Sequence, residues 1–504
     1  PMDISNWIDR HAGFTPDKTA IWFEGEDISY AAMADRVGKR AAMLASLGIK
    51  KGDRVAYLGF NSPEFLTMLF SCARLGAMIV PMNWRLTPAE HLPQIQDCAP
   101  QVLFVEPEHI ENVDSIRDGS DVPHYVAMKD GGGGWESFSD LANCVAEGIF
   151  ESQGATLSDP VLISYTSGST GEPKGVVLTQ EALLFNAINS LHAHDMVNED
   201  IILTNLPQFH VGGLNIMTTP GFHIGASIIL QPQFDPDAAF DAIEQHKCTL
   251  AIFVPAIMAV AVNHPRWKTA DLSSLRMIDT GSTFVADKLV RSFHERDIPV
   301  GAIYGLTETS PVAVYLTRQD ADRKVGSTGK VALHNEMRII DDDGNDVEQG
   351  VSGEILLRGP NVTKEYWNKP DITAAAIRDG WFYTGDMGYQ DEDDFLFVND
   401  RKKDMIISGG ENIYPGELEN ILAECTDLAE AAVVGKADDK WGEVPIVVTV
   451  AKDPGKIKES DVLALFDGKL ARYKLPKGVM FVETLPRNAM GKILKNDIRE
   501  MVKE

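Results

Sequence analysis

Apolar and polar positions alternate along the first part of the chain in a run of helix and strand signals. Ser29 is placed to cap a helix from Tyr30 to about Leu47, and Gly48 to stop it. Residues 54–59 read as a strand. Asn61-Ser62-Pro63 opens a second helix, with Pro63 in its first turn, which runs to Leu75-Gly76. Residues 77–81 read as the next strand. This alternation predicts an open, largely parallel sheet with helices on its faces. Between 325 and 399 the texture changes. Short β-type runs at 337–340, 354–358 and 395–398 are separated by turn signals such as Asp343-Gly344 and Asp379-Gly380, and an antiparallel subdomain is expected. After Asp400-Arg401-Lys402-Lys403-Asp404 comes a compact tail: a helix near 415–424, strands near 429–435 and 445–450, and a helix near 460–470. The expected fold class is α/β. A large N-terminal domain of layered, mostly parallel sheets carries the antiparallel β-subdomain, and a small α+β domain of about a hundred residues follows.

Composition narrows the class. At 504 residues the chain exceeds one ordinary hydrophobic core. Residues 7–20 are polar and predict no secretory signal. The most apolar windows, 65–81 and 249–262, are broken by Arg74 and Pro255 and read as buried core, not membrane spans. Cys72, Cys98, Cys144, Cys248 and Cys425 are scattered, with no C-x-x-C pair and no accompanying His cluster. Zinc and a disulfide framework are therefore not expected, and a reducing cytoplasm is. The formal net charge of −28 argues against nucleic acid as a partner and reads as solubility.

The densest chemical signal is Tyr165-Thr166-Ser167-Gly168-Ser169-Thr170-Gly171-Glu172-Pro173-Lys174-Gly175, directly after the apolar run 161–164. Small, hydroxyl-bearing residues let backbone N–H groups and hydroxyls converge on a polyphosphate, and Lys174 adds charge. The glycine spacing is not that of a P-loop. The segment resembles the phosphate loop of the adenylate-forming superfamily, which includes acyl-CoA synthetases, firefly luciferase and peptide-synthetase adenylation domains. Further motifs of that family follow in order. They are Tyr304-Gly305-Leu306-Thr307-Glu308, Tyr383-Thr384-Gly385-Asp386, Asp400-Arg401-Lys402-Lys403-Asp404, Gly409-Gly410-Glu411-Asn412-Ile413-Tyr414-Pro415 and Pro486-Arg487-Asn488-Ala489-Met490-Gly491-Lys492-Ile493. The similarity spans nearly the whole chain and looks closest to bacterial fatty-acyl and aryl-acid CoA ligases.

The resemblance implies a two-step reaction. A carboxylic acid and ATP give an acyl-adenylate and pyrophosphate, and coenzyme A then displaces AMP. A carboxylate attacking a phosphate meets charge repulsion that a metal and cations must offset. By resemblance, Glu308 holds Mg²⁺, Thr307 contacts the α-phosphate, Asp386 grips the ribose hydroxyls and Arg401 donates to the same sugar. Gly281-Ser282 lies against adenine and Tyr304 stacks on the base. Lys492 bridges the attacking carboxylate and the α-phosphate in the first step only. The division implied is an adenylation domain over 1–400, a hinge over 401–403 centred on Lys403, and a mobile domain over 404–504. Rotation about the hinge would withdraw Lys492 and present the Gly409-Gly410 face to coenzyme A. Trp441, Tyr473 and Lys477 are the implied coenzyme A contacts, with Leu475 where some relatives carry a basic residue.

Phe209-His210-Val211-Gly212-Gly213-Leu214 matches the aromatic–His segment of the acyl pocket. Amino-acid-activating relatives place an Asp at the His210 position, so a free α-amino acid is disfavoured. Gly301, Ala302 and Gly305 are small and suggest room for a hydrophobic tail or a ring. Fatty and aromatic acids stay open at this point, as do a homodimer and peripheral contact with a lipid surface. The competing readings are a stand-alone adenylating enzyme that loads a carrier protein, and a catalytically inactive nucleotide-binding protein. The second predicts decay of a motif, yet Thr307, Glu308, Asp386, Arg401 and Lys492 are all in place.

Overall fold

The computed structural model describes residues 2–503 apart from 130, 145–147, 168–172, 282–284, 409–410, 439–440, 471 and 489–490. The capping signals act as read. The Ser29 hydroxyl accepts from the Ala32 N–H at 3.1 Å at the start of helix Tyr30–Ser46. Ser62 does the same for Phe65 at the start of Pro63–Leu75, which ends on Gly76 at φ +69°. Helix Pro63–Leu75 is buried at every position except Glu64. A helix buried all round must be covered all round: helix Tyr30–Ser46 packs on it, as do strands Met78–Met82 and Pro160–Ser167 from the first of the chain's two large sheets.

This first sheet, the phosphate-loop sheet, has eight strands among the described residues. It runs Glu365–Tyr366, Pro173–Thr179, Pro160–Ser167, Met78–Met82, Arg54–Leu58, Val102–Val105, His124–Ala127, Glu136–Ser137. Its centre is parallel, and its hairpin Pro160–Ser167/Pro173–Thr179 is antiparallel. The other sheet has nine strands among the described residues, with Ser227–Leu230, Ile201–Thr204, Leu250–Ile252, Met277–Gly281 and Val300–Tyr304 parallel in that order. A single apolar core joins both sheets through the helices between them, from Ile21 and Met33 to Phe70, Ile79 and Leu162. Ligands of such open sheets gather at the carboxyl ends of the strands, which is where Gly281 and Tyr304 stand.

Residues 325–399 form the expected antiparallel sheet, with Glu336–Ile340, Gly353–Arg358, Trp381–Gln390 and Leu396–Arg401. Arg378 pairs with Trp381 across Asp379-Gly380, both at positive φ, the two-residue turn read from the sequence. Two pieces leave this subdomain. Lys330–Val331 extends the nine-stranded sheet, because Gly329 (φ +95°) lets the backbone pass against Tyr315, where any side chain would collide with the Tyr315 carbonyl. Glu365–Tyr366 joins the phosphate-loop sheet instead.

Among the described residues the tail builds a five-stranded sheet around Leu428–Asp438 and Gly442–Ala451. Its strands alternate strictly: Val433 and Val447 face one apolar cluster, Val434 and Val448 another, and both clusters consist of residues after 405. The helix expected near 460–470 is only Glu459–Ala464. Gly468 (φ +71°) and the three-residue turns from Leu465 to Lys469 close it early. No helix among the described residues is long and apolar enough to cross a membrane.

Candidate active site

The site forms where strand Val300–Tyr304 runs out. Gly305 follows, and a Cβ there would lie 1.6 Å from the Pro311 carbonyl oxygen, so only glycine fits. Gly301 is small for a similar reason, with Met277, the Leu316 carbonyl and Asp279 within 3.1 Å of a built Cβ. The smallness read from the sequence as room for an acid is thus taken up by close neighbours at both positions, backbone at Gly305 and side chains as well as backbone at Gly301. The turn Thr307–Thr309 comes next and points Glu308 at the phosphate-loop sheet.

An amide lattice fixes this turn from behind. Asn186 accepts from the Val312 N–H at 2.9 Å and donates to the Asn215 carbonyl at 2.7 Å. Asn189 donates to Asn335, Asn335 to Asn361, and Asn361 to the Thr309 and Val312 carbonyls. All five asparagines are buried; Asn189 Oδ1 and Asn215 Nδ2 find no partner among the described residues, and the remaining amide bonds tie the turn to helix Gln180–His194 and to the residues after strand Gly353–Arg358.

Across the cleft, Asp386 and Arg401 face each other on neighbouring strands of the antiparallel sheet, 2.9 Å apart from Oδ1 to Nε. Tyr304 is 7% exposed, its ring packs in the apolar core of that sheet, and its hydroxyl donates to Asp386 Oδ2 at 2.9 Å. Beyond the expected base contact, Tyr304 therefore orients the Asp386 carboxylate, the group expected to grip the ribose. Each Asp386 oxygen keeps a lone pair for a sugar hydroxyl. Burial raises the Asp386 carboxyl above its ordinary value; Arg401, Tyr304 and Lys492 oppose this.

Lys492 arrives from the tail. Its residue is open to water, yet its ammonium stands deep enough among protein atoms that burial, then Arg401, lower its pKa, while Asp386 raises it. On the facing side His210 accepts from the Gly212 N–H through Nδ1 at 3.4 Å, capping Val211–Asn215. Burial, then Lys492 and Arg85, push its pKa down to about 4. With Nδ1 accepting and no charge, the ring carries its proton on Nε2 and offers a donor. A depressed imidazole pKa means the unfolded chain takes up a proton first as pH falls. Stability linked to His210 is therefore complete above about 6.5 and is lost toward about 4. Wild-type protein should lose melting temperature between pH 7 and 5 that His210→Asn does not lose; parallel losses in calorimetry would refute a neutral, desolvated ring.

The tail is held where it is by ion pairs. Lys495 Nζ lies 2.9 Å from Glu419 in the tail and 3.5 Å from Asp400 on the body. Arg291 on the body reaches Glu424 in the tail at 2.9 Å, while Arg499 and Asp404 pair at 2.5 Å within the tail.

The remaining expected residues are placed as follows. Thr166 pairs with Lys174 across the phosphate-loop hairpin. Gly168, Ser169, Thr170, Gly171, Ser282, Gly409 and Gly410, and the side chains of Ser167 and Tyr473, lie outside the described residues. Trp441 is 44% exposed and Lys477 is exposed, and Leu475 packs against the tail's own core. Glu308 suits a hard divalent cation: it supplies an oxygen ligand beside the phosphate-loop stem, and among the described residues only its Oε1 is hydrogen-bonded. The sequence reading missed Tyr366, the asparagine lattice, and the buried His194–Asp279 pair, 2.7 Å apart, whose Asp279 stands two residues before Gly281, the turn expected to lie against adenine.

Residues 8–367 match the AMP-binding enzyme family, and residues 417–492 match the AMP-binding enzyme C-terminal domain. The chain belongs to the AMP-binding enzyme family. This AMP-binding enzyme is 51% identical to an indoleacetate–CoA ligase of Aromatoleum aromaticum over 99% of this chain and 98% of that one. It is 38% identical to a feruloyl-CoA synthase of an Amycolatopsis species over 98% of each chain. Its structure resembles ATP-bound MatB from Rhodopseudomonas palustris, with a TM-score of 0.89 and 31% identity over 100% of this chain and 99% of that one.

Proposed function

We propose that this AMP-binding enzyme activates an aromatic carboxylic acid and transfers it to coenzyme A. It is an AMP-forming carboxylic acid–CoA ligase that uses ATP with Mg²⁺. The aromatic assignment rests on full-length similarity to ligases named for indoleacetate and ferulate. It chooses between the two acid classes the sequence left open.

The observation that carries the reading is the nearness of the Lys492 ammonium, supplied by the tail, to Asp386, Arg401 and His210 on the body, close enough for their charges to act on one another. A lysine from the last few per cent of the chain stands in the cleft of the body, among groups suited to a sugar and a carboxylate. In this arrangement the tail serves the first step. The acid oxygen bonds to the α-phosphorus as the bond to pyrophosphate breaks, and Lys492 neutralises charge on both reacting groups. Bound Mg²⁺ supplies further charge neutralisation on the polyphosphate, with Glu308 as its protein oxygen. His210 donates from Nε2 toward the acyl group and walls the pocket. For the second step the tail turns about Lys403, withdrawing Lys492 and bringing Gly409-Gly410, Trp441, Tyr473 and Lys477 to coenzyme A. The thiol, after losing its proton to water, attacks the carbonyl, and AMP leaves. The working units are then 1–400 and 404–504, acting in the cytoplasm.

The test is AMP and pyrophosphate release with and without coenzyme A, across indole-3-acetate, ferulate, 2-succinylbenzoate and fatty acids of graded length. Coenzyme A-dependent AMP release is expected to favour the aryl acids at least tenfold in kcat/KM, about 1.4 kcal/mol of transition-state binding. Preference for fatty acids would overturn the aromatic assignment. Pyrophosphate exchange without coenzyme A-dependent turnover would overturn the acceptor.

A further inference from the structure

Glu308 is expected to carry the metal, yet several rotatable bonds separate its carboxylate from the backbone. What restrains it is a phenol. Tyr366 Oη donates to Glu308 Oε1 at 2.7 Å, and no other acceptor for that hydroxyl is found among the described residues. Tyr366 is 7% exposed. Burial, then the charge of Glu308, raise the phenol above its ordinary value, so it stays a neutral donor.

The segment around Tyr366 is bonded on two sides. Toward the phosphate-loop stem, Glu365 and Tyr366 pair with Val177 and Val176. The Thr363 hydroxyl donates to the Val177 carbonyl at 2.7 Å, and the Trp367 N–H to the Gly175 carbonyl at 2.7 Å. Toward the metal carboxylate, the Thr363 N–H donates to the Glu308 carbonyl at 2.7 Å, beside the Tyr366 bond. Residues 363–367 are thus a strap that ties the stem of the phosphate loop to both the backbone and the side chain of Glu308. The strap explains why this piece of chain leaves the antiparallel subdomain in which its neighbours pair.

We infer that Tyr366 is a positioning residue for Glu308: it occupies one carboxylate oxygen and presents the other to a divalent cation, in register with the phosphate loop. The inference rests on the ligase reading above. A ligand oxygen held in this way loses less freedom when the cation binds, and partners one step behind the ligand commonly contribute tenfold or more to metal affinity.

The test is the gain in ATP affinity that Mn²⁺ produces, measured by calorimetry on the full chain at zero and saturating Mn²⁺. Tyr366→Phe keeps the ring and its packing and removes only the hydroxyl. Its metal-dependent gain should shrink roughly tenfold relative to wild type, with metal-free ATP and AMP affinities within twofold. An undiminished gain overturns the inference, as does equal weakening with and without metal, which marks a structural defect alone. Wild type that binds ATP without any metal-dependent gain overturns it and leaves the ligase reading standing. Wild type that binds no ATP at all removes that reading and this inference together.

Discussion

Lys492→Ala should lower acid-dependent pyrophosphate release by about a thousandfold, while thioester formation from supplied acyl-adenylate stays within about threefold of wild type; removing one preorganised donor at a developing charge typically costs about 10²–10³ in rate. The physical ground is the address of the ammonium. It lies close enough to Asp386, Arg401, Lys403 and His210 to shift or be shifted by them, and burial, then Arg401, lower its pKa. A cation kept there at a desolvation cost acts where negative charge gathers, and negative charge gathers on the attacking carboxylate and the α-phosphate. Once the adenylate exists that demand is over. Rapid-quench measurement of the two half-reactions separates them, and an equal loss in both would remove Lys492 from its assigned step.

Lys403→Pro should do the reverse, slowing thioester formation from supplied adenylate by at least about a hundredfold and leaving adenylation within about threefold. Among the described residues the Lys403 N–H donates to no backbone carbonyl, whereas Lys402 donates to Gly385, and Asp404 and Met405 to Arg401. Proline at 403 therefore breaks no hydrogen bond of the arrangement seen here. It fixes φ at 403 and restricts Lys402 before it, so it stiffens the joint about which the tail is proposed to turn. Adenylation needs no turn from this state. If the variant makes thioester at the wild-type rate, the pivot lies elsewhere.

The parts legible in sequence are those whose chemistry is written in adjacent letters. Ser29 and Ser62 cap the helices they precede, Asp379-Gly380 makes its hairpin turn, and the motifs of Glu308, Asp386 and Arg401 converge. What escaped reading is what distant residues do to one another. A lone Asn reads as a surface amide, yet Asn189 meets Val312 and Asn335 at separations of 123 and 146 residues. Tyr366 reads as one more aromatic until its hydroxyl is seen on Glu308, 58 residues earlier. Gly301 and Gly305 were misread because an absent side chain looks the same whether it makes way for a substrate or for a neighbouring strand; only the 1.6 Å approach of Pro311 to the Gly305 Cβ position separates the two.

Lys495 has a consequence for the tempo of the enzyme. Its ammonium is shared between Glu419, which travels with the tail, and Asp400, which stays with the body. Arg499 and Asp404 lie together beyond the pivot. A turn about Lys403 would part Lys495 from Asp400 yet leave it Glu419, and would also part Arg291 on the body from Glu424 on the tail, an exposed pair. Stripping a buried charge of its whole partner set costs about 3–5 kcal/mol, and here that toll is never levied. On the proposed hinge the swivel would surrender a half-share of one ion pair and one exposed pair worth about 0–1 kcal/mol, a small change to cross in either direction at every turnover.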